Sequence, residues 1–217
     1  MRSIMRKEMK LSTPLITFLF ILFGLMFFLP GYPVLCGAFF VSLGIFQGFQ
    51  YAREANDLVF SVLLPISKRD VVRGKYRFVC FIEACSLILM LAAALIRMTV
   101  LSDAAAYRAN AMMNANLFAL AGAFAAFGLF NVIFLGGFFK TSYKLGKPFV
   151  TFVIVVFAFI AVVEALHHIP GMEKVNAFGF DYIGLQLGML FAGIAAFLIM
   201  TMLSYRSACR NFEMTDL

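Results

Sequence analysis

Charge is what this chain has least of. Only 13% of its 217 residues are Asp, Glu, Lys or Arg, while 63% are hydrophobic; soluble domains are roughly half apolar and about a quarter charged. No water-soluble fold hides that much Phe, Leu, Ile, Val and Met, so lipid is the solvent for most of the chain. Cysteine is scarce as well. The four, Cys36, Cys80, Cys85 and Cys209, lack the CxxC spacing of a metal site, and three lie in or beside apolar runs. They read as small buried hydrophobes rather than disulfides or ligands. The only histidines, His167 and His168, are neighbours. Adjacent residues on a helix point about 100° apart, so the two cannot easily share one ion. With Glu164 a turn away, they read as an interfacial group at the outer edge of a span.

Other absences narrow the function. No Ser, His and Asp converge at membrane depth, as an intramembrane enzyme would need. The segment Gly136-Gly137-Phe138-Phe139-Lys140-Thr141 has Phe where a phosphate-binding loop needs Gly before Lys, and it follows an apolar run rather than a strand. ATP and magnesium, if they drive this protein, are therefore expected on another polypeptide, and no cofactor on this one. The net charge of +7 sits at the ends of apolar runs, with no basic stripe interleaved with stacking aromatics, which argues against nucleic acid. No cleavable signal is expected, because the apolar run after the charged first ten residues is long enough to span and lacks a small-residue cleavage site. There is no internal repeat and no low-complexity segment.

What is present is a series of apolar runs. No charge occurs from Leu11 to Ala52, enough for two spans of about 20 residues, split at Pro30-Gly31-Tyr32-Pro33 into 11–29 and 34–50. Further spans are expected at 78–101, within 109–139, at 148–167 with Pro148 near the helix start, and at 182–205. Fifteen of the 18 Lys and Arg residues fall on one side of this layout, which puts both termini in the cytoplasm. The reading is an all-α, polytopic integral membrane protein with six transmembrane helices, forming one transmembrane domain over 1–217. Residues 1–10 alternate Met1, Met5 and Met9 with Arg2, Arg6 and Lys10, as an interfacial helix does. The 28 Phe and 13 Met are either lipid-facing bulk or an adaptable surface for an amphipathic substrate. Small residues at Gly122, Ala126 and Gly128, and better at Gly184, Gly188 and Ala192, suggest close helix packing. Within the third span, Glu83 is an intramembrane acid, functional by default, unless it reaches cytoplasmic water or a base such as Lys75. Arg97 is expected to snorkel outward.

Residues 51–77, YAREANDLVFSVLLPISKRDVVRGKYR, break the apolar pattern with a dense block of charge. From Ala52 to Leu64 the apolar positions Ala55, Leu58, Val59, Val62 and Leu63 recur at helical spacing, opposite a polar face. Pro65 stops that helix. Ser67 then caps the next, with Asp70 three residues on as its partner. On pattern alone this is either a helix lying passively on the bilayer or one that docks a partner.

The string LLPISKRDVVRGKY within this block resembles the permease subunits of ABC-2 type transporters, and is most similar to the small six-span branch that includes the exporter of phenol-soluble-modulin-like cytolytic peptides. The resemblance implies a coupling helix that inserts into a cytoplasmic ABC ATPase. Its apolar knobs would be Leu58, Phe60, Leu63, Leu64 and Ile66, its polar rim Glu54, Asp57, Lys68 and Arg69, and its corner Pro65, Ser67 and Asp70. It further implies a second permease, identical or sister, a bacterial plasma membrane, and export of a hydrophobic or amphipathic cargo, peptide first. The rival is a channel or secondary transporter that needs no ATPase and relies on intramembrane charge such as Glu83.

Overall fold

A computed structural model describes residues 7–9, 13–57, 60–61, 66–141 and 144–214, and all regular structure among them is helical. Among the described residues six main helical rods follow one another, with short helical turns at Ala105–Arg108 and Glu173–Asn176 between them. α1 is Leu15–Leu19 running on as a 3-10 helix over Phe20–Phe28; α2 is Cys36–Glu54; α3 is Lys68–Thr99. α4 is Leu117–Phe130, a π turn over Asn131–Leu135 and a last segment Gly136–Lys140. α5 is Gly146–Leu166 and α6 is Ile183–Glu213. Four of them, α3 to α6, are long and apolar enough to cross a bilayer.

The boundaries have local causes. Ser67 is extended; its hydroxyl oxygen accepts the Asp70 N–H at 3.1 Å while its O–H donates to Asp70 Oδ2 at 2.7 Å. That reciprocal cap starts α3, as the spacing leads one to expect. Asn116 caps α4 through its side-chain oxygen, which accepts the Ala119 N–H at 3.0 Å. α1 is shorter than the expected 11–29, yet the 3-10 stretch rises about 2.0 Å per residue instead of 1.5 Å. Its 14 residues therefore cover about 25 Å, most of an apolar core about 30 Å thick.

Two helices overrun the membrane. At about 1.5 Å per residue, the 32 residues of α3 and the 31 of α6 measure about 48 and 46 Å, against a core of about 30 Å. The expected short tail after 205 is instead helix to Glu213. The excess of both lies at the basic end of the bundle, where a bidentate pair between Arg69 and Glu213 ties them together.

α4 is the central helix: 72% of its apolar window is buried, against 22% for α5 and 11% for α6. Seven phenylalanines (Phe27, Phe127, Phe130, Phe134, Phe139, Phe152 and Phe212) are fully buried. The Phe richness is therefore interior packing as much as lipid-facing bulk. Phe46 and Phe149 stack at 3.7 Å between α2 and α5, and Phe134 meets Phe49 edge-to-face at 5.3 Å. α4 and α6 cross closely at Gly193, where a Cβ would stand 2.7 Å from the Ala121 carbonyl oxygen, and α1 and α2 approach as closely at Gly37, where a Cβ would stand 2.7 Å from the Phe23 carbonyl oxygen. Gly128, one of the expected small contacts, meets Met200 of α6. Gly184 and Gly188 meet nothing within 4 Å and lie on an open face.

Candidate functional site

The charged block does not form one helix from Ala52. Glu54 ends α2, and the chain reverses through Ala55 and Asn56, whose φ of 52° is left-handed. Asn tolerates that conformation better than other side-chain-bearing residues, so the turn falls four residues inside the expected helix. A new helical turn follows, with Phe60 N–H donating to Asn56 O at 3.1 Å. Leu58, Leu63, Leu64 and Pro65 lie outside the described residues.

Asp57, expected on an exposed rim, is turned inward and 7% exposed. It joins a buried quartet of charge. Lys7 Nζ stands 2.7 Å from Asp57 Oδ1 and 3.3 Å from Glu8 Oε1. Lys75 Nζ stands 2.9 Å from Asp57 Oδ2 and also donates to Glu8 Oε2. Lys7 donates further to Ser61, whose hydroxyl donates to the Asp57 carbonyl at 2.6 Å. Two ammoniums thus alternate with two carboxylates, and the net charge is zero. Burial of single charges here would cost several kcal/mol each; a closed, hydrogen-bonded set offsets that. The quartet fastens residues 7 and 8 and the turn after α2 to the base of α3.

The remaining predicted residues divide. Phe60, at 55%, is an exposed large apolar side chain, and Glu54, Ser67 and Arg69 are also exposed. Arg69 is engaged by Glu213, and Asp70 accepts from Arg73 at 3.2 Å besides pairing with Ser67. Ile66 is not an outward knob: it is half-buried against the core. Lys68 begins α3.

Higher in the bundle a second polar group crosses three helices. Glu83 is fully buried, so it neither faces water nor meets Lys75, which the quartet holds. Asn131 Nδ2 donates to Glu83 Oε2 at 3.1 Å and to Thr201 Oγ1 at 3.0 Å. Ser204 donates to the Asn131 carbonyl, and the Tyr76 hydroxyl lies 2.7 Å from Ser204 Oγ. Asn131 opens the π turn, whose five-residue bond runs from Gly136 N–H to the same carbonyl. A π turn shifts the ladder by one residue and often marks a functional position in a helix.

At the opposite end Arg97 does not snorkel. It is 3% exposed, donates to Phe27 O at 2.9 Å and Asn114 Oδ1 at 2.6 Å, and covers the Tyr107 ring at 3.9 Å. Asn114 and Asn116 donate onward to Ala177 O and Val175 O, closing the loop before α4 onto the loop before α6. Glu164 Oε2 accepts the Met113 N–H at 2.9 Å and His167 reaches Ala111 O, so these residues belong to the same closure rather than to each other.

A bundle of long apolar helices carrying a charged block is common to membrane proteins of many roles, and comparison with known families decides which this is. Residues 3–213 match the family described as ABC-2 family transporter protein. The chain belongs to the ABC-2 transporter family. Family membership makes it the membrane-spanning permease subunit of an ABC transporter, working in a lipid bilayer with an ABC ATPase as partner. No curated protein and no solved structure matches it.

Within this ABC-2 permease, the segment 136–141 that resembles a nucleotide loop is the helical end of α4. Sequence reasoning read the Ser67–Asp70 cap and singled out Glu83, but it missed the partners of Glu83 and the quartet. The signal was available: Glu8 is the lone acid in a basic segment, and Lys75 falls on the apolar face of α3. Asn131, alone among apolar residues in the middle of 117–140, marked the second polar group equally well.

Proposed function

We propose that this permease is half of an ATP-driven exporter, with six spans and both ends and residues 51–77 in the cytoplasm. It would move a hydrophobic or amphipathic cargo, peptide before lipid or drug, out across a bacterial plasma membrane. In this reading a separate ATPase binds ATP and magnesium and docks around Phe60, Glu54 and Arg69, together with Leu58, Leu63, Leu64 and Pro65. Closure of the ATPase pushes the block, and the push passes to α3.

The observation that carries the reading is the buried quartet. A docking helix on a slack loop would dissipate movement; four alternating charges, each held by the next, make residues 7 and 8, the turn after α2 and α3 one rigid piece. The overhang of α3 by about 18 Å beyond the core supplies the lever arm, and the Arg69–Glu213 pair carries the motion to α6. α1 and α2 complete six spans. The open face of α6, with Gly184, Gly188 and Ala192, is where a second permease would pack.

A photo-crosslinking amino acid at position 60, in cells expressing the permease with a candidate ABC ATPase, tests the docking. A crosslink to the ATPase supports it; reaction with lipid alone opposes it.

The second reading, transport without an ATPase, draws support from Glu83, a fully buried acid that joins α3, α4 and α6. It requires transport by the reconstituted permease alone, lost in Glu83→Gln.

A further inference from the structure

The face of α3 turned to lipid carries a groove unrelated to the coupling block. It measures about 260 Å³ and is walled by Cys80, Ala84, Leu87 and Ile88 of α3, Phe124 of α4 and Phe197 of α6. The two rings meet edge-to-face at 5.8 Å across its back. At 3.6 residues per turn, Arg77, Ala84 and Ile88 lie within about 20° of one line along α3, with Arg73 and Cys80 within about 60°. That periodicity places Arg77 and Arg73 about one and two turns beyond Cys80, on the same side of α3 as the groove. Arg77 is exposed and makes no ion pair among the described residues. Arg73 is paired with Asp70 at 3.2 Å and hydrogen-bonds the Tyr205 hydroxyl.

The lengths fit one kind of occupant. From Arg77 to Ile88 the axis rises about 16 Å, close to the hydrocarbon depth of one leaflet, about 15 Å. A guanidinium at the interface with an apolar channel of leaflet length above it matches an amphiphile with a negative head and a straight tail. A second copy of this chain would bring apolar helical surface to the groove without accounting for the exposed arginine beyond its end.

We propose that this groove holds one acyl chain of an anionic phospholipid whose phosphate is bound by Arg77, with Arg73 and the Tyr205 hydroxyl beside it. The site is independent of the ATPase and of which way the chain is inserted, so it can fail while the transport reading stands.

Native mass spectrometry of the purified full chain, offered phosphatidylglycerol and phosphatidylcholine with the same acyl chains, tests it. Wild type is expected to retain one phosphatidylglycerol in preference to phosphatidylcholine. Arg77→Gln should lower that preference about fivefold, the contribution of one interfacial arginine. Arg206→Gln, an exposed arginine half a turn away from the Phe197 face of α6, should leave it unchanged. Ala84→Phe fills the groove from an exposed position and should remove the adduct while helical content by circular dichroism stays constant. Equal losses in Arg77→Gln and Arg206→Gln, an unchanged preference in Arg77→Gln, or a co-purifying peptide in place of lipid would each overturn the assignment.

Discussion

Replacing Lys75 by Met removes one ammonium from a closed set of four charges. Lys75 is 3% exposed and bridges Asp57, at 2.9 Å, and Glu8. In Lys75→Met the two buried carboxylates share Lys7 alone, which stands 2.7 Å from Asp57 and 3.3 Å from Glu8. Breaking a buried ion pair by deleting one partner costs about 3–5 kcal/mol, a large part of the roughly 5–15 kcal/mol that holds a domain together. Glu8→Met should cost a similar amount, since it strands Lys75. The double variant Lys75→Met with Glu8→Met leaves a neutral Lys7–Asp57 pair in an apolar setting and should lose less than either single change. Unfolding by sodium dodecyl sulfate in detergent micelles, followed by circular dichroism, gives all three values and hence the coupling energy. Single losses below about 1 kcal/mol, or a double loss equal to the sum of the two, would refute a cooperative buried quartet.

Gly193→Leu should destabilise the isolated chain by about 1–3 kcal/mol, because its Cβ meets the Ala121 backbone at 2.7 Å; Gly188→Leu, on the open face, should leave the melting temperature of the monomer unchanged and act only on pairing. Glu83→Gln keeps an acceptor for Asn131 and should melt within about 1 kcal/mol of wild type, while Glu83→Leu removes it and should cost about 1–3 kcal/mol more. Arg97→Lys cannot fork between Phe27 O and Asn114 Oδ1, so amide hydrogen exchange should accelerate over 102–116; unchanged exchange would contradict the closure described for that end.

Much of this arrangement was readable from residue order. Apolar runs too long and too charge-free for water marked the rods, and the Ser67–Asp70 spacing marked the start of α3 to the residue. The places that resisted are those where a partner distant in sequence decides the outcome. Asp57 reads as a polar rim until Lys7 and Lys75, on two other segments, are brought to it. Arg97 reads as a snorkelling cation until the Phe27 carbonyl and Asn114 supply its hydrogen bonds in the interior. Asn56 breaks the amphipathic helix because its left-handed backbone satisfies a turn that apolar periodicity does not register. The extension of α6 to Glu213 buries Ala208, Cys209 and Phe212 against the core and meets Arg69, 144 residues earlier.

The central claim is that the block at residues 51–77 takes force from a separate ATPase. Co-purification of the permease with its partner ABC ATPase, comparing wild type with Phe60→Asp plus Leu63→Asp, measures this directly. Loss of the ATPase and of cargo-stimulated hydrolysis, with the permease still folded, is the predicted result; full retention of both by the double variant would contradict the account.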